Sequence, residues 1–255
     1  MVSVLVKLGI PWIEGIIPRG FPSNTSTLVS GPGGSGKPLI GYIFASGWLK
    51  NGGNVVFLLT STTLEYLRNT MGLFGADLDD YWGRVFFVEL DPGIESIEIV
   101  SDEHIRANFV KPEIWDEALA LASVYLSNVP KTIAPLGTMV VGAALNLLFF
   151  SPTYGEAIHR KIMDTLASNK TKTYFFTVNT DVFKDRVEEL EMAADNLMFS
   201  RMEKPMRLFL RVERIRDVPF RKNEVEVPLS REILDEIREE AERGKKNLIP
   251  AIKRL

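Results

Sequence analysis

The residues of this chain with the clearest chemistry form one short run, Gly31-Pro32-Gly33-Gly34-Ser35-Gly36-Lys37-Pro38. Glycines at such a turn let backbone N–H groups converge on an anion, a following helix offers its N-terminus, and a lysine adds positive charge toward the outer phosphates. Gly31, Gly36 and Lys37 have the spacing of a phosphate-binding loop. Gly33, Gly34, Ser35, Gly36, Lys37 and Pro38 are therefore the residues expected to face a nucleotide. The last position departs from the pattern. A Ser or Thr after the lysine normally ligates magnesium through its hydroxyl, whereas Pro38 has neither that hydroxyl nor a backbone N–H. Proline also steers the residue before it away from the α region, so Lys37 is expected at an altered angle, although a helix tolerates proline in its first turn. ATP or ADP would then be held weakly, with little to support magnesium.

Other chemistries find less support. There is no cysteine, which removes disulfides, thiol catalysis and cysteine-ligated metals. The two histidines, His104 and His159, lie far apart in the sequence, so no zinc site is expected on them, and no Gly-x-Ser-x-Gly elbow occurs. A formal net charge of -3 gives no whole-molecule attraction to nucleic acid or anionic lipid. Locally, Arg201 to Lys222 holds eight basic and three acidic side chains, a stripe that could meet phosphates but is explained as well by a solvated edge. Glu188, Glu189, Glu191 and Asp195 are expected at the surface of a helix following Asn179.

Around these residues the pattern alternates. β-rich apolar runs at Thr25 to Ser30, Asn54 to Leu59, Arg84 to Leu90, Gly137 to Ala143 and Thr173 to Asn179 are separated mostly by helical stretches. The helices fall after Gly36 and around Leu64 to Phe74, Trp115 to Asn128 and Tyr154 to Ser168. Such alternation predicts a mainly parallel sheet covered on both faces. Asn196 to Arg201, Arg207 to Ile215 and Glu224 to Val227 read as late antiparallel edge strands. A final helix is expected from about Arg231 to Arg243, capped by Ser230, stopped by Gly244, and presenting Ile233, Leu234, Ile237 and Ala241 on one face. Thr132 to Gly155 carries no charge, but Pro135 and Pro152 fence it to less than a bilayer span, so a buried strand is expected there. The whole is one domain over 1–255: a lead-in at 1–24, an α/β core at 25–195, edge strands at 196–228, and a C-terminal helix and tail at 229–255.

With its flanks, the loop resembles the KaiC and RadA branch of the RecA-like ATPases. Gly9-Ile10-Pro11, Ile17-Pro18-Arg19-Gly20, Gly52-Gly53-Asn54-Val55-Val56 and Phe74-Gly75-Ala76-Asp77-Leu78 follow in that family's order, and the likeness runs from Gly9 to about Val227. It implies a RecA-like P-loop fold. It also exposes losses. Where the family carries a pair of glutamates after the second strand, this chain reads Leu59-Thr60-Ser61-Thr62, and where an aspartate ends an apolar strand, it reads Gly142-Ala143 after Met139-Val140-Val141. Hydroxyl, base and acid are separate requirements of phosphoryl transfer, and all are missing at their expected places. In the family's rings a late lysine and arginine reach the neighbouring subunit's phosphates; Arg214 and Arg216 are the matching pair, set by strand alternation on one face.

These readings combine into a degenerate KaiC-like P-loop protein that does not hydrolyse ATP, holds a nucleotide or another anion weakly, and acts as a regulator or scaffold through a protein partner or its own oligomer. Two alternatives stay open. One is a slow oligomeric ATPase with Glu65 or Asp91 as replacement carboxylates and Arg214 and Arg216 acting in trans. The other is a nucleic-acid-associated module. The lack of a signal-like start points to the cytosol, with no membrane association.

Overall fold

A computed structural model describes residues 4–128, 136–204, 207–230, 233 and 249–255. The chain opens with a small unit, β1 (Leu5–Val6), α1 (Pro11–Ile16) and β2 (Phe21–Pro22), in which the two strands pair antiparallel. The core follows as β3 (Ser26–Gly31), α2 (Lys37–Lys50), β4 (Asn54–Leu59), α3 (Leu64–Leu73) and β5 (Val85–Leu90). A hairpin of β6 (Ile97–Ser101) and β7 (His104–Ala107) precedes α4 (Pro112–Ser127). Then come β8 (Thr138–Gly142), a 3₁₀ stretch Leu145–Phe150, α5 (Gly155–Ser168), β9 (Thr173–Asn179) and α6 (Lys184–Ala193). The late strands are β10 (Asn196–Glu203), β11 (Arg207–Arg214) and β12 (Val225–Glu226).

One ten-stranded sheet orders these strands β12-β11-β10-β3-β9-β8-β4-β5-β7-β6. Every pairing from β10 across to β7 is parallel, and the edge pairings β10–β11, β11–β12 and β7–β6 are antiparallel. This is the expected mainly parallel α/β sheet of a RecA-like fold. Its central strands are buried along most of their length and, as at Val55–Leu59, Met139–Val141 and Tyr174–Phe176, carry apolar side chains on both faces because both are covered. Leu28, Val56, Val140 and Phe176 point to the side packed by α4 and α5, while Val29, Phe57, Val141 and Phe175 meet α2 and α3.

Helix α2 is buried nearly all round, which its sequence explains. Gly41 lies against the sheet, where a Cβ would stand 3.1 Å from Val141 Cγ1. Gly47, on another side, faces Leu8 of the lead-in unit, where a Cβ would meet the Leu8 Cβ and carbonyl at 2.8 Å. The two glycines cost helix propensity, roughly 1 kcal/mol each, and in return let α2 sit between two layers with Phe44 and Trp48 fully enclosed. The helix that carries the loop lysine is thereby fixed from both sides.

The β6–β7 hairpin was not expected from the sequence. At the other end of the chain, Ser230 Oγ accepts from the Ile233 N–H at 3.4 Å, and Ile233 is buried in the core on the α2 side. The rest of the expected helix from Arg231 to Arg243 lies outside the described residues. No helix among the described residues is long and apolar enough to cross a membrane. Thr138 to Gly142 of the uncharged stretch is instead a buried central strand.

Candidate functional site

Strand β3 ends at Gly31, and the chain turns through Gly34 (φ 76°) and Gly36 (φ 64°), left-handed positions where glycine is the unstrained residue. Gly31 has no space for a side chain, since a Cβ would fall 2.3 Å from the Ser200 carbonyl on β10. The Ser200 hydroxyl meets the Ser35 hydroxyl at 2.9 Å, so the loop is clamped to its neighbouring strand. Lys37 opens α2 despite the proline that follows, and the Leu39 N–H donates to the Gly36 carbonyl at 3.1 Å. Pro38 costs the helix nothing because a first-turn N–H has no intrahelical acceptor.

The Lys37 side chain folds back along the loop. Its ammonium donates to the Gly31 carbonyl at 2.8 Å, to Ser35 Oγ at 3.1 Å and to the Pro32 carbonyl, and the residue is 5% exposed. Burial pulls its pKa down to about 8, against the opposing pull of the Asp181 carboxylate. An ammonium so enclosed is partly desolvated in advance, which suits contact with an anion.

The carboxyl ends of β8 and β9 complete the site. The Asn146 side chain, fully buried, donates to the Asn179 carbonyl at 2.8 Å and accepts the Asn179 N–H at 3.0 Å. The Ala144 N–H donates to Thr177 Oγ1 at 2.9 Å, tying the turn after β8 to β9. From this mount Thr180 donates its N–H to the Gly31 carbonyl at 3.0 Å, and Asp181 Oδ2 accepts the Gly33 N–H at 2.7 Å. Sequence reasoning missed Asn146, Asn179 and Asp181. Their signal is a polar triplet, Asn179-Thr180-Asp181, at the carboxyl end of an apolar strand, which is where open α/β sheets place ligands.

At the positions matched to the family's missing groups, the space is taken by other contacts. Thr60 donates its hydroxyl to the Ala143 carbonyl, and the Tyr42 and Thr62 hydroxyls lie 3.1 Å apart. Gly142 is enclosed by apolar atoms, so that a Cβ there would stand 3.1 Å from Leu145 Cδ1, Leu145 Cδ2 and Phe176 Cδ1. An acid cannot be accommodated without moving Leu145. Pro38, Ser61, Thr62 and Gly142 themselves offer magnesium no carboxylate at the matched positions.

A cavity of about 460 Å³ lies over the loop. It brings together Gly33, Gly34, Ser35, Gly36, Lys37 and Pro38 with Ser61, Thr62, Asn179 and Asp181, and has an apolar wall that includes Leu147 and Phe150. Glu65 is exposed in the first turn of α3 and is not part of the lining, and Asp91 pairs with Arg106 at 3.3 Å. Arg214 and Arg216 lie outside the cavity. The Arg214 guanidinium donates to the Glu191 and Ala194 carbonyls at 2.6 and 2.7 Å, and Arg216 donates to Asp195 at 3.0 Å. Through β10 the register sets Arg214 level with Leu28, in the half of β3 remote from the loop, so neither arginine reaches the loop of its own chain.

Asp195 and Glu191, expected at the surface, require a correction. The Asp195 side chain is 11% exposed and accepts from the Ser26 N–H at 3.0 Å, from Lys170 and from Arg216, while Glu191 accepts from the Ser30 hydroxyl. Burial alone would raise the Asp195 pKa, but Lys170, the Ser26 N–H and Arg216 outweigh it and hold the carboxyl below its usual range. These acids brace the two ends of β3. The basic stripe is likewise engaged within the chain: Arg201 bonds Glu203 and Glu224, Arg207 bonds Glu226, and Arg211 bonds Glu213.

Residues 6–113, which contain the loop and α2, match the family model described as "ATPase: KaiC". Over that part of its length the chain is similar to the KaiC/RadA-type family. Among curated relatives, a UPF0273 protein of Aeropyrum pernix is 31% identical over 86 residues, covering 34% of this chain and 35% of the relative. A UPF0273 protein of Pyrococcus horikoshii is 30% identical over 86 residues, with the same shares. The circadian clock protein KaiC3 of Synechocystis is 30% identical over 101 residues, 39% of this chain and 20% of that protein. The matches thus span about a third or less of the relatives' length.

Proposed function

We propose that this KaiC-like chain binds a nucleotide polyphosphate or a related anion weakly at Gly33, Gly34, Ser35, Gly36, Lys37 and Pro38, without needing magnesium and without hydrolysing it, and serves a regulatory or scaffold role through a protein partner or its own oligomer. The reading rests on one contrast. The loop keeps its glycine turn and its lysine, whereas the family's metal-holding and water-activating positions carry Pro38, Ser61 and Thr62, and a Gly142 whose side-chain space is filled by Leu145. Positioning without metal or base supports binding but leaves phosphoryl transfer without its main electrostatic contributions.

Calorimetric titration with ATP and with ADP, each with magnesium and with chelator, tests this directly. Affinity is expected to be nearly equal in the two conditions and to disappear in Lys37→Ala. Strong dependence on magnesium would instead favour a slow ATPase with replacement ligands.

A further inference from the structure

Resting on that reading of the loop, we infer that Asp181 is a built-in competitor for the phosphate cradle, its carboxylate taking the Gly33 N–H that an anionic ligand would use, so that it sets how weakly the loop binds. Three observations converge on it. The carboxylate lies 2.7 Å from the Gly33 nitrogen, the distance of a charge-assisted hydrogen bond. Its approach depends on glycine, since a Cβ at position 33 would stand 3.0 Å from Asp181 Oδ2 and 3.2 Å from Asn179 Nδ2.

Asp181 is also aimed rather than adrift. Its own N–H donates to Asn179 Oδ1 at 2.9 Å, and Asn179 is held through both backbone groups by the buried Asn146. The residue itself is exposed, so the carboxylate can swing into water when displaced. Its negative charge also acts on the Lys37 ammonium, the group an incoming phosphate must meet. Displacement therefore costs a ligand one hydrogen bond and a share of the lysine's attraction. A carboxylate or other single charge would gain little by the exchange, whereas a polyphosphate brings more charge and more acceptors than it displaces.

Titrating inorganic pyrophosphate in chelator into wild type, Asp181→Ala, Asp181→Asn and Lys37→Ala decides the matter. Asp181→Ala is expected to bind roughly five- to tenfold more tightly than wild type, the size of one charge-assisted bond at an exposed site. Asp181→Asn, nearly isosteric, should shift in the same direction by less, because its amide oxygen still accepts from Gly33. Variants that bind no more tightly than wild type overturn the proposal while leaving the loop's anion binding in place. Weaker binding by Asp181→Ala would make Asp181 a holder of the ligand, which also overturns it. If neither wild type nor Asp181→Ala binds millimolar pyrophosphate, the reading of the loop fails first and the proposal with it.

Discussion

Lys37→Met is expected to yield a protein that is more stable than wild type at neutral pH and has lost its affinity for polyphosphate. The loss should be on the order of 100-fold, because the substitution deletes the one cation that lines the cavity among the described residues. The gain in stability has a separate origin. Burial holds the Lys37 pKa at about 8 against an ordinary value of 10.5, so keeping the ammonium charged at pH 7 costs the folded state about 3 kcal/mol. Methionine removes that cost and strands no acceptor: the Gly31 carbonyl keeps the Thr180 N–H, the Pro32 carbonyl keeps the Ser35 N–H, and the Ser35 hydroxyl keeps Ser200.

The sign follows from proton counts. Between the folded pKa near 8 and the unfolded value of 10.5, the unfolded chain holds more protons on this lysine, so wild-type stability gains with rising pH across that window. Denaturant melts at pH 7 and above pH 10 should therefore show the advantage of Lys37→Met at neutral pH shrinking as the solution becomes alkaline. An advantage independent of pH would mean that burial of the charge is not its cause.

Gly142→Asp, which restores the family's acid, is expected to destabilise the fold by about 3 kcal/mol or more and to confer no magnesium-dependent turnover. The acid would enter a space bounded by Leu145 and Phe176, so its side chain would be pressed against carbon. Leu145→Ala opens that space. In a double-mutant cycle by urea unfolding, the pair should cost less than the sum of the single substitutions. Simple additivity would place the strain elsewhere.

The fold was legible wherever burial is two-sided. Asn54–Leu59 and Thr173–Asn179 form strands over the very residues read from their apolar-rich runs, because a central parallel strand covered on both faces is enriched in apolar residues on both. The hairpin at Ile97–Ser101 and His104–Ala107 was not legible, since an edge strand faces water and mixes Glu98 and Ser101 with Ile97 and Ile99. At the site, the loop was visible because its glycines and lysine are a local pattern. Asp181 was not, because its meaning depends on β9 lying beside β3, a contact between residues nearly 150 positions apart. Asp195 failed for the same reason: beside Glu191 it reads as one more acid on a helix, and only the fold brings it to Ser26, Lys170 and Arg216.

The central claim is that this KaiC-like domain holds a nucleotide polyphosphate without cleaving it. The most direct test mixes concentrated protein with a smaller amount of ATP in magnesium, quenches samples over hours, and quantifies ADP by chromatography beside a Lys37→Ala control. The account predicts that ATP is retained by the protein and recovered intact, at the same level as the control. ADP appearing in wild type and abolished by Lys37→Ala would contradict it, and would mean that other residues have replaced the lost hydroxyl, glutamates and aspartate.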